Sequence, residues 1–207
     1  MHPRVYREYE RICRSRGAAG AVLEIGAVPS DNSLLRMKSL EKATEKVGIN
    51  LDGPHEYADF RIVRGNANAM DDFEDDRFDT VLCNAVLEHD KHFWRTLDEI
   101  RRVARPGALV VIGSPGYTHL RSDKFGVFLR RLPGIGHRLR LHANWLVAST
   151  LTYNMHNDPG DYYRFSTQAF LEVFFEGYRD VELTTVMSPP RIIASGYRLE
   201  GPSHSDE

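Results

Sequence analysis

The sequence predicts an α/β fold: a mostly parallel sheet with one antiparallel C-terminal hairpin, flanked by helices and carrying an inserted helical cap. Three observations predict it. Short apolar runs closed by glycine or asparagine alternate with segments of helical period from about residue 20 to 115, which is the pattern of strands joined by helical crossovers. That alternation stops between 118 and 165, a length unlike bare loop in a compact domain, and so read as a cap. Two further strand-like runs, Val181 to Val186 and Ile192 to Tyr197, are separated by Ser188-Pro189-Pro190 and read as a closing hairpin.

In chain order, Val5, Tyr6, Tyr9, Ile12 and Cys13 fall at helical spacing between residues 3 and 16, and Gly17 with Gly20 ends that helix. Ala21 to Gly26 is a buried strand interrupted by one acid, Glu24. Ser30, Asp31, Asn32 and Ser33 offer N-caps for a helix from about Leu34 to Glu45. Val47 to Leu51, Phe60 to Val63, Phe78 to Asn84 and Ala108 to Ile112 are the next strands. Between the last two, Phe93, Trp94, Leu97, Ile100 and Val103 form one apolar helical face over residues 90 to 104, which Pro106-Gly107 stops. Ser166 or Thr167 caps a helix through Glu176, and residues 201 to 207 read as a disordered tail, so the whole chain of 207 residues is expected to be one domain.

Composition narrows the function classes. Apolar residues make 42% and charged residues 27%, an ordinary globular balance, and no apolar run approaches the roughly 20 residues that cross a bilayer. The start has no apolar signal region, so a cytoplasmic protein without a transmembrane segment is expected. Cys13 and Cys83 have neither disulfide-framework nor zinc spacing, and no metal site is expected. A formal charge of −2 argues against a nucleic-acid partner held by a basic surface. Charge is nevertheless uneven: six of the nine residues from Asp71 to Asp79 are acidic, whereas Thr118 to Asn157 carries six Arg/Lys against Asp123 alone. The basic stretch suits an anionic or lipid-linked small molecule; a solvated flap or a homodimer contact fits it equally.

In an open parallel sheet, ligands bind beyond the carboxyl ends of the strands, near the switch in strand order. Five segments converge there: 26 to 30, 50 to 52, 65 to 67, 84 to 88 and 113 to 117. The residues in them, read in order, carry a resemblance. Val22-Leu23-Glu24-Ile25-Gly26, Val47-Gly48-Ile49-Asn50-Leu51, Gly65-Asn66-Ala67, the run from Phe78-Asp79 through Leu87-Glu88-His89, and Arg102-Val103-Ala104-Arg105-Pro106-Gly107 resemble a class I S-adenosylmethionine-dependent methyltransferase of the type 11 small-molecule group. His156-Asn157-Asp158-Pro159-Gly160-Asp161-Tyr162-Tyr163-Arg164-Phe165-Ser166 is similar to a downstream segment of a subgroup linked to cell-envelope glycan or secondary metabolism.

The resemblance implies a Rossmann-like sheet, S-adenosyl-L-methionine as cofactor, and methyl transfer to an oxygen of a glycan-type or specialised metabolite. It implies a cofactor site of Glu24, Gly26, Ala27, Asn50, Leu51, Asn66, Ala67 and Asn84. Glu24 is expected to organise the turn that receives the methionine end, because an acid inside a buried strand is costly unless paired. A hydroxyl acceptor needs a proton acceptor near the methyl group. His156 beside Asp158 is one candidate, and His89 is another whose alternative role is to cap the following helix. Tyr117, Tyr162, Tyr163 and Arg164 are expected to wall or clamp the acceptor, while an Asp161–Arg164 pair that only fixes the cap is the competing reading. The chain departs from the family in keeping only the first glycine of its Gly-x-Gly-x-Gly turn, and in placing amides, Asn50 and Asn66, where members usually have acids. A methyltransferase fold acting as a non-catalytic binding subunit is the alternative function that these departures motivate.

Overall fold

The computed structural model describes residues 1–119, 124–131, 149–154 and 160–199. Eight strands form one sheet in the order β3-β4-β2-β1-β5-β6-β10-β9: β1 (Ala21–Ile25), β2 (Glu45–Asn50), β3 (His55–Tyr57), β4 (Phe60–Arg64), β5 (Phe78–Asn84), β6 (Ala104–Pro115), β9 (Tyr178–Val186) and β10 (Arg191–Arg198). β4, β2, β1, β5 and β6 run parallel, β10 runs antiparallel to β6, and β9 closes the expected hairpin against β10. Strand order reverses between β2 and β5 on either side of β1, which fixes the switch point.

Alternating side chains send each central strand into two cores. Leu23, Ile25, Val81, Cys83, Val110 and Ile112 face one, and Val22, Leu82, Leu109 and Val111 face the other. The first face is covered by α2 (Phe93–Val103) and a run of phenylalanines from 165 to 175; the second is covered by α1 (Pro3–Ser15), which inserts fully buried Tyr9 and donates its hydroxyl to the Cys83 carbonyl at 2.7 Å. β7 (Tyr117–His119) pairs antiparallel with β8 (Thr150–Thr152) outside the main sheet, and α3 (Lys124–Arg131) lies between them in sequence. These three elements and residues 160–165 are what is described of the 118–165 cap; the tail at 201–207 lies outside the described residues.

Four expectations are corrected. The helix expected at 34–45 is two short 3₁₀ turns, Leu34–Arg36 and Lys38–Leu40. Its buried Leu34, Met37 and Leu40 recur every third residue, the 3₁₀ repeat rather than the 3.6 of an α-helix. The helix expected through Glu176 makes one α turn, α4 (Thr167–Ala169), capped by Ser166 as expected, and then widens into a π-helical run, Phe170–Phe174. Pro106-Gly107 does not precede the fifth strand but lies within β6, where the register against β5 shifts between Phe78 and Thr80 and Gly107 takes a positive φ of 79°. The β3–β4 hairpin, absent from the sequence reading, adds a short outer strand that ends the sheet on that side.

Candidate functional site

A cleft of about 420 Å³ opens at the carboxyl ends of β1, β2, β4 and β5. Its walls are Ile25-Gly26, Ile49-Asn50-Leu51, Gly65 to Asn68, Ala85-Val86, His89 to His92, and Tyr162. The sequence therefore brings together Gly26, Asn50, Leu51, Asn66, Ala67, His89 and Tyr162 of the expected site. Val28 and Pro29 are exposed and do not line it, so the glycine-poor turn leaves the entrance open. Gly26 itself has φ +78°, and a Cβ there would stand 2.4 Å from Val86 Cγ2, so this first glycine is required both for its conformation and for the wall across from it. Ala85 also holds a left-handed φ of 57°, tied by its N–H to the Gly113 carbonyl at 2.9 Å, which turns the chain sharply off β5.

Both amides at acid positions hold their turns, and Asn50 does so in a way that an acid cannot. Asn50 Nδ2 donates to the Ala27 carbonyl at 2.7 Å, and Asn50 Oδ1 accepts from Asp52 N at 3.1 Å. One side chain thereby joins the β1 and β2 turns, and only an amide carries both the donor and the acceptor. Asn66 Oδ1 accepts from Asn68 N at 3.0 Å, closing an Asx turn after β4. Asn50→Asp, which restores the family's usual acid, is expected to lower stability by about 1–2 kcal/mol, because a carboxylate then faces a carbonyl; urea unfolding measures it, and an unchanged midpoint refutes the bridging role.

Glu24 lies beneath the cleft, not on its wall. It is buried, and accepts from Leu34 N at 3.2 Å, Leu35 N at 3.3 Å and the Ser33 hydroxyl. Burial raises its pKa, opposed by those three donors. Ala27 is also buried, with its side chain in the core and its carbonyl held by Asn50. Asn84 ends β5 outside the cleft lining, and its buried Oδ1 has no hydrogen-bond partner among the described residues.

A second polar group sits over β5, β6 and β10. Glu88 is buried; its Oε2 accepts from the Ser114 hydroxyl at 3.0 Å, while Oε1 stands 3.6 Å from Arg191 Nη1 and 3.9 Å from His89 Nε2. Burial raises the Glu88 pKa, partly offset by Arg191 and His89. His89 Nδ1 faces the Gly160 carbonyl. A carbonyl only accepts, so Nδ1 carries the hydrogen and Nε2 is the basic nitrogen. His89 is thus fixed to residue 160 and does not cap α2, whose N-cap is His92 with no side-chain cap bond; Asp90 Oδ1 closes an Asx turn onto His92 N at 2.8 Å just before the helix.

Arg164 is engaged with its own segment. It pairs with both oxygens of Asp161 and donates to the Tyr163 carbonyl at 2.7 Å and the Asn154 and Tyr153 carbonyls at 3.3 and 3.4 Å. Tyr163 packs edge-on against Phe93 with ring centres 5.0 Å apart and donates its hydroxyl to the Lys91 carbonyl. Tyr117 lies on β7, away from the cleft. Among the substrate candidates it is Tyr162 that reaches the cleft, held by its N–H to the Glu88 carbonyl at 2.7 Å. His156 and Asp158 lie outside the described residues.

The sequence reading missed Asn68, Asp90, Lys91 and His92 as cleft residues. Asp90 two residues before His92 is an Asx signature that marked a helix start without showing which wall it would face. Among the described residues no group of His, Cys, Asp and Glu is arranged to hold a metal, and no helix is long and apolar enough to cross a membrane.

A methyltransferase-domain family model matches residues 30–112. That span holds the turns after β2, β4 and β5 that wall the cleft. No curated protein sequence matches the chain. Among solved structures, the N-methyltransferase NodS of Bradyrhizobium japonicum WM9 in complex with S-adenosyl-L-homocysteine is similar, with a TM-score of 0.61 and 12% identity over 95% of this chain and 87% of that one. The 1,6-didemethyltoxoflavin-N1-methyltransferase of Burkholderia thailandensis, with bound 1,6-didemethyltoxoflavin and S-adenosylhomocysteine, gives 0.62 and 16%, covering 94% and 78%. A phosphoethanolamine N-methyltransferase of Haemonchus contortus gives 0.58 and 13%, covering 94% of this chain and 53% of that one. At these identities the likeness establishes a Rossmann-like methyltransferase fold.

Proposed function

We propose that the chain binds S-adenosyl-L-methionine in the cleft and transfers its methyl group to a small-molecule acceptor, an oxygen of a glycan-type or specialised metabolite. The observation that carries this reading is the cleft itself, which opens beside β1 at the strand-order switch and takes most of its wall from the turns after β2, β4 and β5, inside the stretch matched by the methyltransferase family model. Its volume of about 420 Å³ falls in the ~300–1,000 Å³ range of small-molecule sites. Leu51 is 64% exposed on its wall, an apolar surface that a purine would cover, and Gly26 leaves the backbone open to close approach. The residues present therefore fit an adenosyl ligand.

When bound, S-adenosylmethionine supplies an electrophilic methyl group. The chain's own task is alignment, exclusion of water and management of one proton. Leu51, Ala67 and Val86 supply apolar walls; Tyr162 stands over the cleft mouth from the cap side. On this reading His89 Nε2, the basic nitrogen left by the Nδ1 contact with the Gly160 carbonyl, takes the proton from a hydroxyl acceptor, with His156 and Asp158 as a further base pair from the cap. The basic cap residues Arg121, Lys124, Arg130, Arg131, Arg138 and Arg140 favour an anionic or lipid-linked acceptor.

Titration calorimetry with S-adenosylhomocysteine, followed by transfer of a labelled methyl group to a panel of hydroxylated acceptors, tests the proposal. Saturable binding is expected. No heat at millimolar ligand overturns the reading, and binding without transfer to any acceptor favours the non-catalytic alternative. His89→Gln is expected to keep cofactor affinity within about threefold while reducing turnover about 10²-fold or more, the range contributed by a positioned base; equal turnover removes His89 from that role.

A further inference from the structure

Among the described residues, the cleft is lined by a single acidic side chain, Asp90. Neither expected acid position carries a charge: Asn50 is spent on the Ala27 carbonyl and the Asp52 N–H, and Asn66 Oδ1 on the Asn68 N–H. Asp90 joins the lining from the lead-in to α2 and is held by three donors. Its Oδ2 accepts from Asn68 Nδ2 at 2.7 Å and the Thr96 hydroxyl at 2.7 Å, and its Oδ1 accepts from His92 N at 2.8 Å. Thr96 is fully buried and itself accepts from Asn68 Nδ2 at 2.8 Å, so the three side chains form one closed unit. Asn68 follows Ala67, which lines the same stretch of wall. The carboxylate is thus fixed beside the turn after β4, in the cleft that Leu51 also lines.

A carboxylate offers about four acceptor positions, and the described donors fill three. The remaining one is on Oδ1, and it suits a neutral N–H donor belonging to a ligand. Resting on the adenosyl reading above, the geometry points to Asp90 as the residue that reads the 6-amino group of the purine, taking over from the β4 turn, where this chain has the amide Asn66. A 6-amino group donates to Oδ1. A 6-oxo group in its place sets two acceptors against each other, and the base is rejected because a buried polar partner is left unpaired. Asp90 is in this sense a specificity-determining residue that separates adenine from hypoxanthine.

The experiment compares the affinities of S-adenosylhomocysteine and S-inosylhomocysteine, two probes that differ at the 6-position and in the N1 hydrogen that the 6-oxo base carries, by titration calorimetry on the full chain. The wild-type protein is expected to prefer the adenosyl ligand about tenfold or more, since one hydrogen bond to a charged group is worth at least that factor. Asp90→Asn, whose side chain offers both an acceptor and a donor, is expected to bring the ratio to within about twofold of unity. A merely structural role for Asp90 would weaken both ligands together and leave the ratio unchanged, and that result overturns the inference, as does a wild-type ratio near one. Thr96→Val removes one of the donors that orient Oδ2 and is expected to reduce the ratio by a smaller factor; if Asp90→Asn fails to fold, an undiminished ratio in Thr96→Val refutes the assignment. Absence of any binding by the wild-type chain counts instead against the adenosyl reading itself.

Discussion

Asp161→Ala is expected to cost about 3–5 kcal/mol of stability, the largest loss of any single substitution considered for this protein. The Asp161 side chain is fully buried, and its two oxygens grip the Arg164 guanidinium in a fork, Nη2 to Oδ2 at 2.6 Å and Nη1 to Oδ1. Truncation leaves a cation that is only 13% exposed facing three carbonyls without the counter-charge that pairs with it directly. Those carbonyls belong to Tyr153, Asn154 and Tyr163, so the pair is what binds the chain after β8 to the chain before α4. Urea unfolding of Asp161→Ala, Arg164→Met and the double variant checks the assignment. The double variant is expected to recover part of the loss, because it no longer buries an unpaired charge; strictly additive costs would show that the two side chains do not act as a pair.

Glu24→Ala is expected to cost about 2–4 kcal/mol and to weaken S-adenosylhomocysteine binding at the same time. The substitution strands the Leu34 N–H and the Ser33 hydroxyl hydrogen, each worth about 1–3 kcal/mol when buried unsatisfied, while Leu35 N–H keeps its bond to Ser33 Oγ at 3.2 Å; against that stands the relief of no longer burying a carboxyl. The carboxyl also predicts a pH signature. Burial holds its folded-state pKa above the ordinary value of 4.5, so the folded state binds the proton more tightly than the unfolded chain. The stabilisation is fully present below that ordinary value and is lost as pH rises through the raised one. Relative to Glu24→Gln, the wild-type chain should therefore be more stable at pH 4 than at pH 8. Glu88, raised in the same direction, is common to both proteins and cancels in the difference. A wild-type advantage that grows with pH would mean that the three donors outweigh burial and that the carboxyl titrates below its usual range.

The sheet was legible because its signal is local. The strands at 21–25 and 78–84 are short runs buried on both faces and closed by turn residues, and the one at 60–64 alternates buried Phe60 and Ile62 with exposed Arg61 and Arg64, so each leaves little ambiguity. The crossover after β1 misled because cap-rich Ser30 to Ser33 announces a helix, whereas the buried residues that follow keep a period of three. The β3 hairpin strand has three residues, too few for any periodicity to register. In the cleft, the positions after β1, β2 and β4 could be read from strand ends alone. Asp90 could not, because what makes it a cleft residue is its lock to Asn68 and Thr96, partners 22 and 6 residues away. Arg164 could be read as clamp or tie, and its bonds to Asp161 and to three carbonyls select the tie.

The paired 3₁₀ turns between β1 and β2 have a kinetic corollary. A crossover helix can begin to form from its own local bonds, but two three-residue turns lack the length to nucleate alone. Ser33 Oγ supplies one local bond, to Leu35 N, but the Leu34 amide is satisfied by Glu24, ten residues earlier, which also accepts from Leu35 N, and that side chain is in place only once β1 has been captured by its neighbours. Order in this crossover is therefore inherited from the β1–β5 pairing, and the rim beside Gly26 is assembled after the centre of the sheet during folding.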